Sequence, residues 1–274
     1  MLGSYRDPVT SDALAPLVDL PGVAEAADRA RAAVDSVLWD RGIRSRAAEV
    51  VAASRLRGGW ASAAMDGAEV RPDALVSGVA LDDSPIGRVL AAALALQAEI
   101  PRQVEVIGRA PLQVLSGLHS VVAAGFVPDH ERGRIRAGEV ADDPLRLALL
   151  PTAAEVARRM TALSRLLSQP SVAPAIVIAA VAHAEIAVTR PFTWGSGLVA
   201  RSLTRLVLAA RGVDPDGLTV PEAGLFAAGR PAYSQALRAY VEGTPEGVAQ
   251  WLILHAETVR VGADESRRIL ADLV

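Results

Sequence analysis

Cysteine, lysine and asparagine are absent from the 274 residues of this chain, so all 28 basic residues are arginine. Without cysteine there is no disulfide, no thiolate nucleophile and no Cys-ligated zinc. Without lysine there is no Walker-type phosphate lysine, no Schiff base and no kinase-type lysine, because each chemistry needs an amine. Lysine and asparagine share AT-rich codons, so an asparagine missing from a motif carries little weight by itself. Aromatic residues make up only 4% of the chain, and the formal net charge is −3. A weakly acidic chain is not a nucleic-acid binder, which gathers basic residues on one face. No basic-then-apolar leader opens the sequence: Met1 to Pro16 is polar and broken by Pro8 and Pro16. The longest apolar stretch, Ala173 to Val188, contains Pro174, His183 and Glu185 and is too short to cross a bilayer. A soluble, cytoplasmic protein with no membrane partner is the expectation.

Half of the residues are apolar, enough for a sizeable core in one large domain or two small ones. Alanine and leucine dominate and β-branched alternation is scarce, which predicts an all-α fold. Helices are expected over Gly22–Asp40, over Arg44–Arg57 with a stop at Gly58-Gly59, and over Ile86–Ile100 with Pro101 closing it. A short helix is expected at Asp73–Ser77, and another over Leu112–Ala124. Thr152-Ala-Ala-Glu155 fits a capping box ahead of the stripe Val156, Met160, Leu163 and Leu167. Ala175–Val188 is apolar nearly all round, the mark of a central helix. Leu198–Arg211, Tyr233–Val241 and Val248–Leu270 complete the bundle. Between Phe126 and Pro144 the periodicity fails, and Gly133, Arg134-Ile-Arg136 and Gly138 predict a loop or small β-hairpin.

The stretch that joins the two central helices carries most of the chemistry: Arg190-Pro-Phe-Thr-Trp194-Gly195-Ser196-Gly197-Leu198-Val-Ala-Arg201. A Gly-Ser-Gly turn opening a helix presents amides with no internal partner at the positive end of the helix dipole, where an anion can sit. Arg201 lies one turn inside and can add a charge-assisted contact. Taken alone, a Gly-Ser-Gly before a helix is more often a plain N-cap.

These residues resemble the signature of Fic-domain (Fido) proteins, His-x-Phe-x-(Asp/Glu)-Gly-Asn-Gly-Arg-x-x-Arg, often with proline after the histidine. Pro191, Phe192, Gly195, Gly197 and Arg201 match it, and Arg190 occupies the place of the histidine. Ala182-His183 stands where the family commonly carries an Ala-His pair. Leu118-His119 with Gly133-Arg-Ile-Arg136 is similar to the family's opening helix and flap. The resemblance runs from about Pro111 to Trp251. It implies a Fic-like helical bundle with a small β-hairpin flap over residues 109–274, preceded by an N-terminal helical region over residues 1–108. In that region Trp60-Ala-Ser62-Ala-Ala-Met-Asp66-Gly67 is similar to the inhibitory motif (Ser/Thr)-x-x-x-Glu-(Gly/Asn), whose acidic residue pairs with the last arginine and blocks productive ATP binding. Mapped here, Asp66 meets Arg201, with a side chain one methylene shorter.

Active family members transfer AMP from ATP to a protein hydroxyl, with the histidine as general base and the acidic residue holding magnesium. Arg190 cannot accept a proton at ordinary pH. Trp194 at the acidic position offers no hard oxygen ligand, so magnesium is not expected. Leu198 replaces the first phosphate-clamping arginine, while Ser196 for asparagine is the mildest change. No replacement is visible: His183 reads as a satisfied core histidine, His119, His130 and His255 have no motif around them, and Glu185 and Asp214 have no spacing partner. The resemblance therefore implies a degenerate Fic protein, a pseudoenzyme with an anion or nucleotide-type pocket at Gly195, Ser196, Gly197 and Arg201. ATP or another nucleotide, a protein partner or a homodimer are its expected partners. Two other readings stay open: a transferase of AMP or another phosphate-containing group with altered catalytic residues, and a structural helical dimerisation module.

Overall fold

A computed structural model describes residues 12–71, 74–75, 77–138, 140–147 and 150–273. Among them the chain forms twelve helices: α1 (Ala15–Val18), α2 (Val23–Leu38), α3 (Arg41–Ser45), α4 (Ala47–Met65), α5 (Pro85–Gln103), α6 (Pro111–Val122), α7 (Ala153–Ser168), α8 (Ala175–Thr189), α9 (Ser196–Ala210), α10 (Pro221–Ala228), α11 (Arg230–Glu242) and α12 (Pro245–Leu273). The fold is all-α. No strand occurs among the described residues, so the expected hairpin is corrected: 134–138 runs as irregular chain. The short helix expected at Asp73–Ser77 falls partly outside the described residues.

Several helix starts follow from local chemistry. Ser84 Oγ accepts from Gly87 N–H at 3.0 Å ahead of Pro85, and Asp40 Oδ1 accepts from Ile43 N–H at 3.0 Å. Thr152 Oγ1 accepts from Glu155 N–H at 3.3 Å, but the Glu155 carboxylate turns to Arg158 instead of closing the box. The centre is α8, buried on all sides as its apolar sequence requires, and packed against α9, α7 and α12. Trp251 of α12 fixes one of these contacts by donating its indole N–H to the Ala180 carbonyl at 2.8 Å.

Two expected helix ends are corrected. Pro101 lies inside the last turn of α5 instead of closing the helix at Ile100. The segment expected as one helix over Arg44–Arg57 breaks at Arg46 instead, and α4 then runs straight through Gly58-Gly59 to Met65. Both glycines are there for packing. A Cβ on Gly59 would meet Leu94 of α5 at 2.6 Å. One on Gly58 would meet Arg205 Nη2 at 2.7 Å and Glu222 Oε2 at 3.0 Å. Gly58→Ala is expected to lower stability by about 1–3 kcal/mol in thermal unfolding, the overpacking outweighing the gain of about 1 kcal/mol in helix propensity. A stabilised variant would show that α4 does not approach so closely.

Candidate functional site

Arg190 ends α8 in a left-handed conformation (φ 46°), unusual for a residue with a side chain, and this turns the chain into the loop 191–195. The turn is held from outside. Arg136 donates from Nε to the Arg190 carbonyl (2.8 Å) and from Nη2 to those of Thr189 (3.2 Å) and Pro151 (2.6 Å). Main-chain bonds from Arg136 N–H to Pro191 O (2.8 Å) and from Asp142 N–H to Thr193 O (2.9 Å) place these two residues against the loop.

His119 braces the same loop. Its Nδ1 accepts from Gly133 N–H at 2.9 Å, which leaves the proton on Nε2 to donate to the Trp194 carbonyl at 3.1 Å. The ring stacks on Phe192, with centroids 3.9 Å apart, and burial pushes its pKa down to about 4. Trp194 stacks on Phe126 at 3.9 Å. Its carbonyl and ring are therefore committed to the scaffold. Ser196 Oγ turns back to the Phe192 main chain, accepting from its N–H at 3.2 Å, and is not aimed into the site. Leu198 is fully buried in the core.

Arg201 is buried to 1% exposure on the second turn of α9. Its Nε donates to Ser62 Oγ at 2.8 Å, and its Nη2 lies 2.8 Å from Asp66 Oδ2. Ser62 and Asp66 are four residues apart on one face of α4, so the helix presents both to the guanidinium. Asp66 sits at the C-cap of α4, with Gly67 beyond it at φ 92°. It ends the helix and its carboxylate reaches the arginine despite the shorter side chain. A Cβ on Gly197 would stand 3.1 Å from Arg201 Nη1 and 3.2 Å from Asp66 Oδ1, so this ion pair lies directly over the Gly-Ser-Gly turn.

One residue here was not anticipated. Asp142 Oδ2 accepts from Gly195 N–H at 3.3 Å, at the opening of α9. Burial raises its carboxyl to about 6, the nearby Asp66 charge adding to this against the pull of Arg190 and Arg201. Asp143 beside it pairs with the Arg190 guanidinium at 3.0 Å. The signal available in the sequence was only an Asp-Asp-Pro that ends the aperiodic stretch.

The remaining titratable candidates do other work. His183 is buried and hydrogen-bonded to Thr204 Oγ1 (2.8 Å) and Tyr233 Oη (2.7 Å), and Thr204 continues to His255 Nε2 at 3.0 Å. Glu185 pairs with Arg159 at 2.7 Å, and Asp214 caps the turn at Leu218-Thr219; neither touches the loop. Among the described residues no three His, Asp or Glu side chains gather as a metal site. The position for a magnesium carboxylate belongs to the stacked indole, while Asp66 and Asp142 already face a guanidinium and an amide. Magnesium does not fit this donor set.

No protein-family model matches the chain, and no match appears among curated proteins. Solved structures do match. A Fic family protein from Desulfovibrio desulfuricans G20 superposes with a TM-score of 0.69 at 17% identity, covering 89% of this chain and 74% of that one. Fic-1 from C. elegans superposes at 0.67 and 17% identity, covering 94% of this chain and 74% of that one. The fold is that of Fic proteins. Within this Fic-like fold, the loop 190–197 joins the two central helices, with Asp142 bonded at Gly195 and Asp66 at the end of α4 over Gly197. No helix among the described residues is long and apolar enough to cross a membrane.

Proposed function

We propose that this chain is a degenerate Fic-domain protein: it keeps the anion-holding frame at Gly195, Gly197 and Arg201, takes a nucleotide or another phosphate-bearing anion there, and transfers no AMP to protein. The observation that carries this reading is Arg190. It stands where the family's motif has its base, is held in a left-handed turn, and pairs its guanidinium with Asp143. A guanidinium accepts no proton, and loss of a general base alone removes roughly 10²–10⁴-fold in rate. Trp194 stacked on Phe126 and Leu198 in the core support the same conclusion, because neither can return to phosphate or metal binding by a change of rotamer.

The frame itself supports binding. Arg201 is the one motif arginine kept, and Asp66 over Gly197 stands in for the anion the frame was built to hold. The Asp66 contact is thus an inhibitory pairing that a ligand displaces. Titration calorimetry with ATP and ADP is expected to show weak binding that changes less than twofold with magnesium. A tenfold gain with magnesium would contradict the assignment of Trp194, and no heat at millimolar nucleotide would remove the pocket.

A further inference from the structure

The end of α4 is not the only part of the chain lying in the anion site. We propose that Asp142 is a second latch on that site beside Asp66, so that a phosphate-bearing ligand enters only by displacing two carboxylates that come from separate elements of the fold. This rests on the reading of the Gly-Ser-Gly turn as an anion site, given above. Three observations carry it. Asp142 Oδ2 receives the Gly195 N–H at the helix opening, where an incoming anion would bind, while Asp66 covers Gly197. The two carboxylates therefore share the work along the turn and do not duplicate it. Asp142 is itself tied to the loop, its N–H bonding Thr193 O at 2.9 Å, so its own backbone holds the carboxylate against the turn.

Both latches are also poor ligands for the place they fill. Asp142 Oδ1 and Asp66 Oδ1 are buried without a hydrogen-bond partner. The Gly195–Asp142 contact, at 3.3 Å, is longer than the roughly 2.7–2.9 Å of a strong charge-assisted bond. Two like charges beside one another raise the cost of holding both. A phosphate offers more acceptor oxygens to the same donors, so exchange is favoured once a ligand is present at sufficient concentration. The groups facing Asp142 are Asp66 from α4, Arg190 from the end of α8, Arg201 from α9, and the Gly195 amide.

The test is calorimetric titration of the full chain with magnesium-free ATP, comparing the parent with Asp66→Ala, Asp142→Ala and the double variant. Asp142→Asn is the second probe, since it removes the charge and keeps the shape should the alanine fail to fold. Each single alanine is expected to tighten binding at least fivefold and the double variant further than either single. Asp142→Asn should gain at least threefold. The proposal is overturned if both Asp142 variants stay within twofold of the parent while Asp66→Ala tightens. If not even the double variant binds, the anion site itself is wrong, a result distinct from failure of the second latch alone.

Discussion

Replacing Glu222 with glutamine is expected to destabilise the protein by about 3–5 kcal/mol, because it strands a buried guanidinium. Arg205 and Glu222 are both almost fully buried, joined at 2.8 Å through Nη2 and 3.2 Å through Nε. Burial by itself would raise the Glu222 carboxyl, but the Arg205 charge and hydrogen bond overcome it and hold the group below its ordinary value. Arg205 Nη1 is used by Ser54 Oγ at 2.9 Å and the Gly217 carbonyl at 3.2 Å, and Gln97 Nε2 donates to Glu222 Oε1 at 2.8 Å. The pair therefore ties α9 to α4, α5 and α10, the same helices that bring Asp66 to Arg201. In a chain of this size, such a loss lowers the thermal midpoint by roughly 6–20 °C. The double variant Arg205→Met with Glu222→Leu removes both charges and should recover part of that loss. A Glu222→Gln midpoint within 2 °C of the parent would mean that the pair is open to water.

The second large effect is acid lability above the range in which carboxylates titrate. His119, His183 and His255 are buried and neutral. Burial lowers His119 to about 4 and His255 to about 3, and burial with the His255 and Arg201 charges lowers His183. Unfolded histidines bind protons below about 6.5, so between that value and the folded pKa the unfolded chain holds more protons and stability falls with pH. His119 and His255 each contribute about 2 kcal/mol of loss between pH 6.5 and 5, at roughly 1.4 kcal/mol per unit, and His183 adds to it in the same direction. Asp142 works in the opposite direction. Its folded pKa of about 6 is above the unfolded value, so acidification through 6 returns about 1 kcal/mol per unit. The net expectation is a loss of about 3 kcal/mol or more from pH 7 to pH 5. Thermal midpoints over that range check the slope, and ring-nitrogen NMR at pH 5 should still show three neutral imidazoles. Flat midpoints would contradict the burial of these rings.

The letters of the chain reached the fold further than the site, for a physical reason. Helix identity is local: the apolar run Ala175–Val188 and the caps at Ser84 and Thr152 act within a few residues. The glycines of α4 look like a stop because their packing value lies in Leu94, Arg205 and Glu222, which only the folded chain brings near. Pro101 lies inside the last turn of α5 although it removes an i→i−4 bond there, so local rules read it as a stop that tertiary packing overrides. The loop and Asp66 were recognisable through their resemblance to the Fic signature and to the inhibitory motif. Asp142 was not, and the bracing role of His119 was not either, because their partners Gly195 and Trp194 lie 53 and 75 residues away.

The central claim is that this Fic-like site holds anions and performs no AMP transfer. Its most direct test is transfer of labelled AMP from ATP by the Asp66→Ala variant, with and without magnesium, against self and protein acceptors. That variant takes away the carboxylate paired with Arg201, so silence cannot be blamed on that contact. The account expects no incorporation above background. Incorporation at a rate comparable to an intact Fic enzyme, and abolished by Arg201→Ala, would contradict it.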